Sequence, residues 1–320
     1  MRKLASAAVA SGLLIALAGC AGGPLDPNAC IPDYATGGSA ELVGVEGAFG
    51  QQSRLDFPTP LVSKEPRVQL VSAGEGERVR PGDYLEFEVT IADGRTGEVL
   101  TGSGFAEGSG IGRIAGTDLL STVALCATEG SRLVATAPIS EVFTPQIVAS
   151  AGYKPTDSVV LAYDLERRMP GRATGADQLL LPSGLPAIVL APNGEPGLTL
   201  PKGEAPSELR IGALKVGSGP VVESGDTIIA HYTGVLWGSG RVFDSSWDAG
   251  LPRDLPAVSM EDSAEGGVIP GFAQAIIGQT VGSQVVAVIP PGFGYPEGQS
   301  PSTIPEGSTL IFVIDILGIR

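Results

Sequence analysis

The chain has few of the residues that bind metals or carry out redox chemistry. Its 320 residues include one histidine and three cysteines, and no two cysteines form a CxxC pair. Dithiol redox catalysis therefore lacks its usual motif, and a metal site lacks its usual ligands. The one histidine, His231, has apolar neighbours within a β-branched run, which favours a structural role. We expect neither a metal nor another cofactor.

Cations and long apolar runs are also scarce. Twenty Lys and Arg residues stand against 35 Asp and Glu residues, for a net charge of −15. Phosphate contacts need clustered cations, which argues against a nucleic-acid partner. Beyond the N-terminus, no apolar stretch reaches the ~20 residues that a spanning helix needs. The length suggests roughly two domains, and 46 glycines and 26 prolines favour short strands joined by many turns.

The first 20 residues are organised like an export signal. Arg2 and Lys3 precede a short apolar run that ends in LAGC at residues 17–20. A basic start before such a short apolar segment is typical of a signal peptide. The residues before Cys20 resemble a bacterial lipobox, in which that cysteine is lipidated and becomes the mature N-terminus; a simple secretory signal cleaved nearby is the alternative. Multiple acyl chains would anchor the protein stably outside the cytoplasmic membrane.

Two cysteines remain once Cys20 is assigned to the lipobox. In an oxidising extracytoplasmic setting, Cys30 and Cys126 are expected to form a disulfide. The alternative is a pair of buried free thiols. By the chain-entropy estimate, closing a loop of this length contributes on the order of 4 kcal/mol to stability.

A β-hairpin with two large aromatic residues is predicted in the C-terminal third. Residues 225–232 form a turn followed by a β-branched run, which indicates a strand. A Gly-Ser-Gly turn and a second short strand over 241–243 follow. Tyr232 and Phe243 can then face one cavity, although a pair of ordinary core aromatics fits these residues equally well.

The rest of this region continues as short elements. A strand over 208–216 precedes the hairpin, and a short helix over 273–277 follows it. Two apolar strands are then predicted over 284–289 and 310–317.

Five motifs occur in order along these elements: HYTG (231–234), FDSS (243–246), VIPGF (268–272), PPGFGY (290–295) and IPEGSTLIFVIDIL (304–317). Together they resemble the FKBP family of peptidyl-prolyl cis-trans isomerases over roughly residues 208–320. One motif would be weak, but five in register over a whole domain are highly specific.

The resemblance implies an α+β fold in which an antiparallel half-barrel sheet wraps around one short helix. It also implies a proline pocket with Phe272 as its floor and with Asp244 and the Tyr295 hydroxyl at its rim. The backbone N–H of Ile269 would hold a substrate carbonyl. The implied catalytic set is Tyr232, Phe243, Asp244, Val268, Ile269, Phe272, Tyr295 and Phe312, and Ile304 is implied as a substrate-binding residue of the flanking wall.

Prolyl isomerisation requires no proton transfer and no covalent intermediate. Rotation about the X-Pro bond crosses a barrier of about 18–20 kcal/mol because the imide loses its resonance. A dry aromatic pocket favours the twisted imide, since the planar and more dipolar form depends more on water.

A degenerate copy of the same fold is predicted over residues 64–170. Residues 82–89 alternate polar and apolar side chains and align with 225–232, and two later segments also align. Val89 takes the place of Tyr232, and no FDSS motif occurs. We therefore expect two FKBP-like domains, of which the first is non-catalytic.

The expected function is a peptidyl-prolyl isomerase that helps exported proteins fold at the cell envelope. Its expected partners are proline-containing exported polypeptides and, by resemblance, macrolide immunosuppressants. A non-catalytic, membrane-anchored binding module for proline-containing segments is the alternative, and a surface interaction protein dominated by the first domain is a weaker one. The expected order is a signal peptide (1–20), a tether (21–63), the degenerate domain (64–170), a Pro/Gly-rich linker (171–207) and the isomerase domain (208–320).

Overall fold

A computed structural model describes residues 33–106, 110–179, 184–263, 266–295 and 297–320. The predictions for Cys20 and Cys30 lie outside these residues. Cys126 is disulfide-bonded. No helix in the described part of the chain is long and apolar enough to cross a membrane. The predicted α+β class is confirmed, because antiparallel strands dominate and the helices are few and short.

The N-terminal half consists mainly of strands. Its elements are, in chain order, β1 (Gly44–Glu46), β2 (Arg54–Asp56), β3 (Arg67–Ser72), β4 (Glu75–Arg78), β5 (Tyr84–Asp93), β6 (Val99–Gly102), β7 (Ile111–Ile114), α1 (Leu119–Thr122), β8 (Thr128–Glu129), β9 (Arg132–Pro138), α2 (Pro145–Ser150), β10 (Ser158–Met169) and β11 (Ala176–Asp177).

The C-terminal half continues the pattern. Its elements are β12 (Ala187–Leu190), β13 (Pro196–Thr199), β14 (Arg210–Val216), β15 (Thr227–Leu236), β16 (Val242–Ser245), β17 (Arg253–Pro256), α3 (Pro270–Ile276), β18 (Gln284–Ile289) and β19 (Leu310–Ile319). The strand predicted over 284–289 has the predicted bounds. The helix predicted over 273–277 begins earlier, because Pro270 has no N–H to lose at the first helical position.

Two large sheets have the same strand order. The first is β3-β9-β10-β5-β6, with β7 also paired to β5. The second is β14-β18-β19-β15-β16, with β17 also paired to β15 and β11 added beside β14. Taken in sequence order within each half, the two paths are identical. Each sheet packs its inner face against a short helix, α1 in the first and α3 in the second.

The segment before each sheet packs on that sheet's outer face. In the first half, the Ser39 hydroxyl lies 2.6 Å from that of Thr136, and the Gly50 N–H donates to Asp164 at 2.7 Å. In the second half, the β12–β13 hairpin places Ile188 and Leu198 against outer-face residues of the second sheet. The described residues of the predicted tether and linker therefore pack largely against the two sheets. There they bury apolar side chains of the outer faces and form hydrogen bonds with polar ones.

The two sheets contact each other directly. Tyr84 and Met169 of the first half pack with Ile229 and Leu317 of the second. The Arg320 guanidinium bridges both halves, since it lies 2.7 Å from a carboxylate oxygen of Glu86 and 2.7 Å from one of Asp254. An apolar contact and a shared cation thus join the halves.

His231 lies on the outer face of the second sheet, away from the aromatic cluster of the inner face. Its side chain is 2% exposed, its Nδ1 lies 2.9 Å from the Ser246 hydroxyl, and its ring stacks on Trp247 at 3.9 Å between centroids. Burial lowers the pKa of His231 to about 4. The neutral imidazole is therefore a structural element of this face.

We expect His231 to make the fold acid-sensitive. The unfolded imidazole has a pKa of about 6.5, so between that value and about 4 the unfolded state binds more protons. The neutral His231 contributes about 3 kcal/mol to the free energy of unfolding above pH ~6.5, and this contribution is lost as the pH falls towards 4. Urea unfolding of the wild type and of His231→Gln at pH 7 and pH 4 measures it. Parallel losses in the two proteins would contradict the assignment.

Candidate active site

Four aromatic rings meet on the inner face of the second sheet. Strand β15 supplies Tyr232, β16 supplies Phe243, α3 supplies Phe272 and β19 supplies Phe312. The Phe312 ring is central, because its centroid lies 5.0 Å from that of Phe272, 5.5 Å from that of Phe243 and 6.3 Å from that of Tyr232. The contacts with Phe272 and Phe243 are edge-to-face, a geometry that holds rings in defined orientations. The structure thus brings together all four predicted aromatic residues of these elements.

Gly234 allows the rings to approach the strand. It pairs with Phe312 in the β15–β19 register. A Cβ at Gly234 would lie 2.5 Å from Phe243 Cζ and 3.0 Å from Phe312 Cε1, so any side chain would displace these rings. Sequence reasoning did not include Gly234 among the site residues. A glycine inside a strand, which often marks a close approach, was the available signal.

A polar rim borders the rings. The Tyr232 hydroxyl donates to Asp244 Oδ2 at 2.6 Å. Burial, followed by this hydrogen bond and the Asp244 charge, raises the pKa of Tyr232. Burial and the same charge raise the pKa of Tyr295, which is half-buried beside the rings. Both phenols therefore stay protonated at neutral pH and remain hydrogen-bond donors.

Aliphatic residues complete the wall. Ile269 and Ile304 are buried, and Val268 is partly buried, all within the apolar cluster that contains Phe272. Ile269 caps α3, and its carbonyl accepts from the Phe272 N–H at 2.9 Å. Within the described residues, no acceptor faces the Ile269 N–H. This amide is thus available to a bound group.

The site has the composition of a binding pocket without a nucleophile. Asp244 is its only charged member among the predicted residues, and it is engaged by Tyr232. His231 lies on the opposite face of the sheet, because neighbouring residues of a strand point to opposite sides. The arrangement can desolvate and orient a ligand.

Comparisons with known proteins agree with this geometry. Residues 219–317 match the family model described as FKBP-type peptidyl-prolyl cis-trans isomerase. An FK506-binding protein of Streptomyces anulatus is 35% identical over 126 residues, which cover 39% of this chain and 97% of the relative. The chain belongs to the FKBP-type peptidyl-prolyl cis-trans isomerase family. It is an enzyme of that type.

Two further similarities involve the same family. A probable FK506-binding protein of Corynebacterium glutamicum is 36% identical over 124 residues, or 38% of this chain and 97% of the relative. A crystal structure of the three FKBP domains of wheat FKBP73 is 16% identical with a TM-score of 0.33, and the match covers 79% of this chain and 94% of that one.

Among the described residues, the four-ring cluster has no counterpart in the first sheet. Val89 pairs with Tyr163 there, as Tyr232 pairs with Ile314 in the second sheet. The rings of Phe87 and Tyr163 stack at 4.3 Å between centroids, and both side chains are fully buried. At the corresponding places the second sheet has the smaller residues Ala230 and Ile314.

Proposed function

We propose that this FKBP-type isomerase acts on exported polypeptides at the cell envelope, anchored through a lipid on Cys20. The main observation behind this proposal is the cluster of four aromatic rings, which forms an apolar cup. The Tyr232–Asp244 hydrogen bond gives this cup one fixed polar edge. The export-type segment at residues 1–20 supports the location.

The pocket is proposed to work by differential binding. A prolyl ring packs on the aromatic cluster with Phe272 as its floor, which excludes water from the imide. The planar imide loses more solvation than the twisted one, so the barrier falls. The Ile269 N–H holds a substrate carbonyl, and the Tyr295 hydroxyl donates at the rim. No bond to the enzyme forms.

The proposed division of the chain is a signal peptide (1–20), an N-terminal segment (21–63), a non-catalytic FKBP-like domain (64–170), a connecting segment (171–207) and the isomerase domain (208–320). The identical strand order of the two sheets supports an FKBP-like fold for residues 64–170. The buried Phe87–Tyr163 stack supports its lack of activity. We also propose that Cys126 pairs with Cys30.

The partners follow from the pocket. Its apolar walls suit proline-containing segments of unfolded polypeptides. The relatives from Streptomyces anulatus and Corynebacterium glutamicum are named FK506-binding proteins, and we propose that macrolide immunosuppressants enter the same cup. Ligand binding to the native state would then stabilise it by mass action.

The location is tested with Cys20→Ala in the full-length chain. We expect the wild type in the membrane fraction and the variant in the soluble fraction, because one protein carries acyl chains and the other does not. Isomerase activity per mole, measured on a proline peptide, should be equal in the two. Wild type in the soluble fraction would contradict the anchor.

The alternative is a membrane-anchored module that binds proline-containing segments without useful turnover. The same assay separates the two functions, because binding without acceleration over buffer would leave only the module. The intact set of Tyr232, Phe243, Asp244 and Tyr295 favours turnover.

A further inference from the structure

Tyr232 is flanked by two charges of opposite sign. On one side, Asp244 pairs with Gly234 across β15 and β16. On the other side, Arg253 pairs with Ala230 across β15 and β17. Gly234 and Ala230 are each two residues from Tyr232, so both share its inner face. Asp244 and Arg253 therefore border the aromatic cup from two neighbouring strands.

The strand alternation of β17 supports the inner position of Arg253. Leu255, two residues on, packs with the inner-face cluster of the second sheet. Asp254, the residue between them, bonds Arg320 at 2.7 Å, and Arg320 also reaches Glu86 of the first half. Asp254 thus points away from the cup, and Arg253 points towards it.

Arg253 is an exposed residue, and in the part of the chain that the structure describes its guanidinium forms no ion pair. Its charge reaches the site, because it lowers the pKa of Tyr232 against the larger effects of burial and Asp244. Asp244 is already engaged by the Tyr232 hydroxyl. A cation without a partner therefore stands at the edge of a pocket in a protein of net charge −15.

We propose that Arg253 is a specificity-determining residue that favours substrates with an acidic side chain next to the proline. This inference rests on the proposed proline pocket and adds a substrate class to it. A carboxylate beside the proline would lie near Arg253 while the prolyl ring fills the cup. A lysine at the same place would be repelled by Arg253 and would have to compete with Tyr232 for Asp244.

The test is a peptide series with Glu, Gln or Lys immediately before or after the proline. The measured quantity is kcat/KM for the Glu peptide divided by kcat/KM for the Lys peptide. At about 10 mM salt, where the Debye length is roughly 30 Å, we expect Arg253→Glu to lower this ratio about tenfold or more. At about 1 M salt, where it is roughly 3 Å, the effect should shrink to about twofold or less.

A matched control has the same charge change elsewhere on the domain. Arg210 pairs with Val288, an outer-face residue, and its side chain is 48% exposed beside Glu208. Arg210→Glu should leave the ratio within twofold of the wild type. An unchanged ratio in Arg253→Glu, or an equal change in Arg210→Glu, overturns the proposal.

Calorimetric affinities of the same peptides separate this inference from the proposed function. A tenfold shift of the Glu-to-Lys affinity ratio in Arg253→Glu supports the role of Arg253 even if no peptide is turned over. Failure of the Gln peptide to isomerise faster than in buffer counts against the isomerase mechanism alone.

Discussion

Phe312→Leu is expected to lower kcat/KM for a proline peptide about 30-fold. The Phe312 ring contacts Tyr232, Phe243 and Phe272, and each such aromatic contact contributes roughly 0.5–1.5 kcal/mol. Losing about 2 kcal/mol of this positioning corresponds to the expected factor. The first sheet carries Leu161 at the corresponding place, opposite Ala135, as Phe312 lies opposite Ala287. The measurement is kcat/KM at a temperature well below unfolding.

Phe87→Leu is the matched control. It makes the same change at a fully buried ring, but in the first sheet, where Phe87 stacks on Tyr163. Both variants should lose on the order of 1 kcal/mol of stability. Only Phe312→Leu should lose activity. Equal losses of kcat/KM would mean that the effect reports general destabilisation and that the cup is not the site.

Asp164→Ala is expected to destabilise the first half by about 3–5 kcal/mol, because it leaves a buried guanidinium without its partner. Arg132 and Asp164 form a bidentate pair, Nε to Oδ1 at 2.7 Å and Nη2 to Oδ2 at 2.7 Å. Their side chains are 9% and 4% exposed. Arg132 also donates to the carbonyls of Gly47 and Ala48 at 2.7 and 2.8 Å. Urea unfolding, with hydrogen exchange in β9 and β10, measures the loss.

Two controls bracket this result. Glu46→Ala removes an exposed ion pair with Arg54 from the same segment and should cost little or nothing. Arg132→Gln copies the second half, where Gln284 donates to Asp315 at 2.6 Å, and should cost less than Asp164→Ala. A loss below about 1 kcal/mol in Asp164→Ala would show that the pair is dispensable.

The corresponding carboxylate of the second half makes stability depend on pH. Burial raises the pKa of Asp315 to about 6, against the lowering effects of the Ala173 N–H, the Gln284 amide and two nearby cations. A carboxyl pKa raised by folding makes stability fall as the pH rises from about 4 towards the folded value.

Much of the fold was predictable because its signals are local. Alternation and β-branched residues indicated the strands, and the strand over 284–289 was placed correctly as β18. The helix was found by its short apolar run, but its start at Pro270 was missed. The two halves were aligned from residues 82–89 and 225–232 and from two later segments, and their sheets have one strand order.

The sequence predicted which aromatic residues form the candidate site, but it did not predict the roles of Gly234 and Arg253. The motifs pointed to four rings that do meet. The need for glycine at position 234 depends on where Phe243 and Phe312 lie in space. The position of Arg253 beside Tyr232 depends on the pairing of β17 with β15, which no local pattern encodes.

The five ordered motifs predicted the family and the residues of the aromatic pocket, and residues 1–20 predicted an export signal. The folded structure added that residues 33–63 and the β12–β13 hairpin cover the outer faces, that Arg132 and Asp164 pair, and that Arg253 borders the cup. The strands and motifs could be predicted because side-chain periodicity depends only on a few neighbouring residues. Strand register, burial and ion pairing join residues far apart in the chain, and they exist only once the sheets have formed.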